Sequence, residues 1–355
     1  MAQTDFILAG LVWVALAVAL NAVGGCGTAS AAERWQPVPF VRQSTLDAGF
    51  KVGGEGGQWP QAICMDSTDG TFLLFGTDVG GIFRSTNGGQ FWEPCNIGYN
   101  PRGNCGFAID PNNSNRALAV GANSLEMDCH GIYLTTDKGA SWTHVLPKRT
   151  KGYRDFREQV AYDETSFDAA AGFSKVAYWT SDRLYKTTDG GKTWAEIPNS
   201  GAYGNGFVKV HPTKGYVYIA NDRGLYKSTD GGASFAQKAK GPVTGLDVVA
   251  THPDSVFACT PDRVLVSTDA GETFTTITPS GLGDKLDFKK IHASPVNPKR
   301  MLLENHEGSY QHRKCYSVDG GKTWARSKEE HSQAFLPYNN RQPMFAWHPK
   351  DEKVA

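Results

Sequence analysis

Short apolar runs alternate with polar punctuation along most of the chain. In the clearest stretch, GFVKV (Gly206 to Val210), YVYIA (Tyr216 to Ala220), GLYKS (Gly224 to Ser228) and FAQK (Phe235 to Lys238) have strand length. They are separated by HPTKG, NDR and TDGGAS. Apolar segments of four to five residues bounded by Pro, Gly, Asn and Asp predict β-strands joined by tight turns. The unit is therefore four antiparallel strands with a proline turn, a short polar loop and an Asp-Gly corner.

That corner recurs six times: STNGGQFW (Ser85 to Trp92), TTDKGASW (Thr135 to Trp142), TTDGGKTW (Thr187 to Trp194), STDGGASF (Ser228 to Phe235), STDAGETF (Ser267 to Phe274) and SVDGGKTW (Ser317 to Trp324). Counted between Asn87, Asp137, Asp189, Asp230, Asp269 and Asp319, the spacings are 50, 52, 41, 39 and 50 residues. A period near 40–50 residues fits one four-stranded blade of a β-propeller. The prediction is all-β, with six recognisable four-stranded blades and a seventh in the complete chain. The six Asp or Asn residues read as structural: each accepts hydrogen bonds from its own turn, the glycine takes a positive φ, and the aromatic residue packs between blades. Once-per-blade recurrence argues against a catalytic role for them.

Composition narrows the function classes. Lys plus Arg and Asp plus Glu number 36 each, so no overall field favours nucleic acid. A membrane is met only through the N-terminus, where Phe6 to Val23 is a nearly unbroken apolar run followed by small residues. Residues 1–32 read as an export signal and 33–355 as the propeller, which predicts a periplasmic, cell-surface or secreted protein. Two processing sites compete, a lipobox ending at Cys26 and a cut after Ala29-Ser30-Ala31; the start MAQTDF lacks Lys and Arg. The other six cysteines permit disulfides without fixing a pairing, and none has CxxC metal spacing. No cofactor or metal is expected.

The corner S-x-D-x-G-x-T-W resembles the Asp-box, or bacterial neuraminidase repeat, of sialidases, the sortilin family, photosystem II assembly factors and xyloglucan-hydrolysing glycoside hydrolases. The resemblance covers about Met65 to Arg326 and implies the fold more than the activity. At the ends, RWQPVPF (Arg34 to Phe40) reads as an isolated fourth strand. PMFAWHPKDEKVA (Pro343 to Ala355) reads as the first strand and turn of a further blade.

Candidate chemistry lies opposite the corners, on loops joining second to third strands and blade to blade. There GTDVGG (Gly76 to Gly81) is similar to the TD[IV]GG segment of the xyloglucanase-type hydrolases, and the resemblance implies a catalytic carboxylate at Asp78. The alternative is an ordinary loop residue, since Asp182, Asp222 and Asp262 stand at comparable places. Inverting hydrolysis needs two carboxylates; a second propeller supplies the partner in the family resembled, and Asp128, Asp155, Glu158 or Glu307 are the local alternatives. Two long blade-to-blade segments and the sixth-blade loop carry the expected substrate contacts: Arg154, Asp155, Arg157, Glu158, His306, Glu307, Tyr338 and Arg341. The expected partner is a polysaccharide or oligosaccharide. The rival reading is a non-catalytic propeller that docks a protein.

Overall fold

The computed structural model describes residues 60–122, 128–148, 158–307, 312–327 and 345–355, together with Ser44 and Asp47. Within them the chain forms six antiparallel four-stranded sheets, each built from strands consecutive in sequence except the third, where a two-stranded hairpin intervenes after the first strand. The period first noted in the sequence becomes the strands Phe207–Val210, Val217–Asn221, Gly224–Ser228 and Ala236–Lys240. These are the fourth blade. The first strand of each blade is the inner one: Pro60–Met65, Gly103–Ile109, Val160–Tyr162, Phe207–Val210, Gly245–Val248 and Phe288–Ala293. Each packs beside the next around a central channel. A small hairpin, Phe167–Asp168 with Phe173–Ser174, is an insertion in blade 3 that the sequence pattern does not announce.

Radial stacking explains the apolar pattern. The second strand of a blade lies between two neighbouring blades, so Leu73–Thr77, Ala117–Ala122 and Val217–Asn221 are buried along their whole length. Such strands read as continuous apolar runs. Outer strands face water, and Ala236–Lys240 is correspondingly polar and largely exposed. Each fully buried Leu or Ile, such as Leu118, Ile132 or Ile219, contributes roughly 1.5–3 kcal/mol by leaving water.

The corners hold as their chemistry predicts. In blade 4, Ser228 Oγ donates to Asp230 Oδ1 at 2.8 Å and accepts from Gly232 N at 2.9 Å. Asp230 Oδ1 also accepts from Ser234 N at 2.9 Å, and Oδ2 from Ser234 Oγ at 2.5 Å. The same bonds recur around Asp137, Asp189, Asp269 and Asp319. Blade 1 differs in two linked positions. It has Asn87 for Asp and Phe91 for the hydroxyl residue, so Ser85 Oγ still accepts from Gly89 N and Asn87 Oδ1 from Ser85 Oγ and Phe91 N, while the second carboxylate-to-hydroxyl bond is lost. In blade 2 the box aromatic locks neighbouring blades, since Trp142 donates to Cys95 O at 2.9 Å and packs with Tyr99 in the core between blades 1 and 2, whereas Trp92, Trp194 and Trp324 donate to a glycine oxygen of their own corners.

RWQPVPF and Cys26 lie outside the described residues. Part of the C-terminal segment is described, and it enters the ring wall. Trp347 Nε1 donates to His292 O at 3.2 Å on blade 6, while His348 and Pro349 close on Gly70 of blade 1. His348 N donates to Val354 O at 2.9 Å, the same turn closure that His211 N makes to Tyr216 O after the blade-4 inner strand. The six cysteines other than Cys26 are free thiols, so packing and corners, not crosslinks, join the blades.

Candidate functional site

At the mouth opposite the corners, Thr77, Asp78 and Gly81 form a tight loop. Thr77 N donates to Gly81 O at 3.0 Å, and Gly80 N to Thr77 Oγ1 at 2.8 Å. Gly81 has φ +71, and a Cβ there would meet Asn96 Oδ1 at 2.3 Å, so only glycine fits. Asn96 Oδ1 in turn accepts from Ile82 N at 2.7 Å. This anchoring sets Asp78 directly after the second strand with only 6% of its surface exposed. Its counterparts differ: the Asp182 and Asp262 side chains are 43% and 55% exposed and lie against Lys148 and Arg263, and Asp222 is exposed too. Blade 1 alone of these four buries its loop carboxylate.

The expected substrate contacts separate. Arg154, Asp155, Arg157, Tyr338 and Arg341 lie outside the described residues. His306 pairs through Nε2 with the buried Glu304 carboxylate. Glu307 is held by Arg326 at 2.5 Å and Arg313 at 3.5 Å. Asp128 is exposed beside the second-blade loop.

Glu158 lies two residues before the blade-3 inner strand and reaches into the central channel. There its Oε1 meets His292 Nε2 of blade 6 at 2.7 Å, and its Oε2 meets Lys209 of blade 4. Lys209 Nζ also lies 3.6 Å from Asp247 Oδ1 of blade 5, whose Oδ2 accepts from Ala293 N at 2.9 Å. One carboxylate thus links three blades. Burial acts to raise the Glu158 pKa, but the His292 ring and the Lys209 ammonium outweigh it and hold the carboxyl well below its ordinary range. Burial acts to lower Lys209, and Glu158 with Asp247 reverses the sign, raising it.

Lys209, Asp247 and His292 were missed as site residues in the sequence, although a signal exists. Each is the penultimate residue of an inner strand, where blades 1 to 3 carry Cys64, Ala108 and Ala161. Small side chains on one arc and charged ones on the other leave a cavity of about 330 Å³ along the channel. Burial pushes the Cys64 thiol up to about 11, so it is not a ready nucleophile.

Comparison with known proteins agrees with this architecture. The DUF6242 beta propeller domain family matches residues 160–351, more than half of the chain. The chain belongs to the DUF6242 β-propeller family. This DUF6242 propeller is also 28% identical over 170 residues to a xyloglucanase of Paenibacillus sp., an alignment covering 43% of this chain and 16% of that enzyme. The chain thus spans less than a fifth of that relative. Among solved structures, the GH74 enzyme of Niastella koreensis superposes with a TM-score of 0.64 at 23% identity, covering 76% of this chain and 45% of that one. YCF48 bound to D1 peptide superposes at 0.51 and 15% identity, covering 76% of this chain and 82% of that one. At these identities the structural likeness establishes the fold alone, a β-propeller.

Proposed function

We propose that this propeller engages a xyloglucan-type polysaccharide across the mouth face and that Asp78 is one carboxylate of a hydrolytic site. The observation that carries the reading is the burial of Asp78 on a glycine-fixed loop, unlike Asp182, Asp222 and Asp262. A carboxyl group shielded from water and aimed from a rigid strand end suits general acid–base work on a glycosidic bond. The xyloglucanase relatives support the substrate class. An inverting hydrolysis requires a second carboxylate about 6.5–9.5 Å away across the scissile bond. Glu304 and Glu307 are committed to His306 and to two arginines, so neither is assigned that role.

The direct test is incubation with xyloglucan, reading reducing-end release and retardation in a xyloglucan gel. Wild type is expected to be retarded, and Asp78→Asn, folded by circular dichroism, to lose any release of reducing ends. A wild-type protein that xyloglucan does not retard contradicts the reading. We also take the protein to be exported, on the strength of the Phe6 to Val23 run; fractionation of cells expressing the full chain tests that.

A second reading has one observation in its favour. The chain covers 82% of YCF48, a propeller solved with a peptide, but only 45% of the Niastella enzyme. A peptide-docking propeller is the outcome if glycan binding fails.

A further inference from the structure

Five seams between neighbouring blades are sealed by apolar clusters to which both blades contribute. Between blades 5 and 6, for example, Phe257, Cys259 and Val264 pack with Ile291, Leu303 and Trp324. Among the described residues no such cluster joins blade 6 to blade 1. The corners repeat the difference. A Cβ built on the inner corner glycine would touch the preceding blade at Gly139 (Leu74), Gly191 (Leu118) and Gly271 (Tyr218), whereas at Gly89 it would reach only the corner's own Trp92 among the described residues.

Residues 345–349 span this seam. Trp347 Nε1 donates to His292 O at 3.2 Å, and the Phe345 ring stands edge-on to the His292 ring with centroids 6.0 Å apart. On the other side, His348 and Pro349 lie so close over Gly70 of blade 1 that a Cβ there would meet both at 2.9 Å. These two holds on blade 6 run through one residue, and Glu158 Oε1 fixes the His292 ring from the channel side at 2.7 Å. Phe345, Ala346 and Trp347 also line the channel cavity together with His292 and the blade-1 residues Ile63 and Met65.

From this we infer that residues 345–349 are a clasp: the ring opens and recloses at the seam between blades 6 and 1, short of global unfolding, and opening bares the channel cavity from the side. The reason is the kind of attachment. One hydrogen bond, one ring contact and a close backbone approach resist parting less than a shared apolar cluster, because buried apolar area carries most of the free energy that holds packed sheets together. A joint with few buried apolar contacts belongs to the low-stability end of a structure, which opens locally while the rest stays folded. Clasp opening requires no role for Asp78.

Hydrogen–deuterium exchange of the full chain, read by mass spectrometry as protection factors, tests this. In wild type, peptides covering Pro60–Met65, Phe288–Ala293 and 345–355 are expected to be protected roughly tenfold less than those covering Val160–Tyr162 and Phe207–Val210, which lie away from the seam. Trp347→Phe keeps an aromatic ring and removes the donor to His292 O; Gly70→Ala sets a Cβ against His348 and Pro349. Each should lower protection of the three seam peptides by a further factor of roughly five while Phe207–Val210 stays within about twofold of wild type. Thermal melting checks that each variant folds, and if one does not, the other decides. Protection that is equal across the inner strands in wild type overturns the inference. So does a folded variant that leaves the seam peptides unchanged or loosens every inner strand alike.

Discussion

His292 Nε2 of blade 6 and Glu158 Oε1 of the segment entering blade 3 meet at 2.7 Å across the central channel. Blades distant in the ring are thereby tied through one side chain, and Lys209 of blade 4 holds its other oxygen. The contact is a brace inside the ring as well as a wall of the cavity.

Removing the shared carboxylate should therefore cost more than a surface pair. Glu158→Ala leaves the Lys209 ammonium with Asp247, at 3.6 Å, as its one carboxylate among the described residues. A loss of about 3 kcal/mol is expected, at the low end for breaking a buried pair because the cavity admits water. Urea unfolding of wild type and variant measures it.

Two corners carry a side chain where the others have glycine. Lys138 and Ala270 both have φ +56. A residue with a Cβ pays roughly 1 kcal/mol in that left-handed region. Lys138→Gly should stabilise the fold by about that amount in chemical denaturation, because Arg84 Nη1 bonds its backbone oxygen, which glycine keeps.

The hydroxyl at the head of a corner matters for a different reason. Ser267 Oγ accepts from Gly271 N at 2.8 Å and donates to Asp269 Oδ1 at 2.7 Å, in a buried position. Ser267→Ala strands a buried amide and should cost about 1–3 kcal/mol. Ser267→Thr, the residue at the head of the corners at Thr135 and Thr187, should restore most of it.

Acid should unfold the propeller in a definite window. Hydroxyl bonds from Ser234 and Thr323, with turn amides, hold Asp230 and Asp319 down at about 2, and Glu158 is lowered too. Groups whose folded pKa is depressed contribute fully above the unfolded value near 3.8 and lose that contribution as pH falls through the folded value. The melting temperature should stay level above about pH 5 and drop between about pH 4 and 2.

Much of this was legible in the chain itself. The corner fixes one strand end per period, and because its hydrogen bonds are local, six copies announce six blades. The loop of Asp78 was legible by its glycines, but its burial was not, since the loop is anchored at Gly81 and Ile82 by Arg102 and Asn96 from the blade connection. The channel was the hardest part. Lys209, Asp247 and His292 sit inside strands where alternation accounts for a polar residue, and only alignment of the inner strands brings them to one level.

The central claim is that glycan recognition belongs to the mouth and the repeated corners are structural. Gel retardation by xyloglucan, compared between folded Asp78→Asn and folded Asp319→Ala, separates the two faces. The account predicts weakened retardation for Asp78→Asn and wild-type retardation for Asp319→Ala. Retardation lost with Asp319→Ala and kept with Asp78→Asn would contradict it.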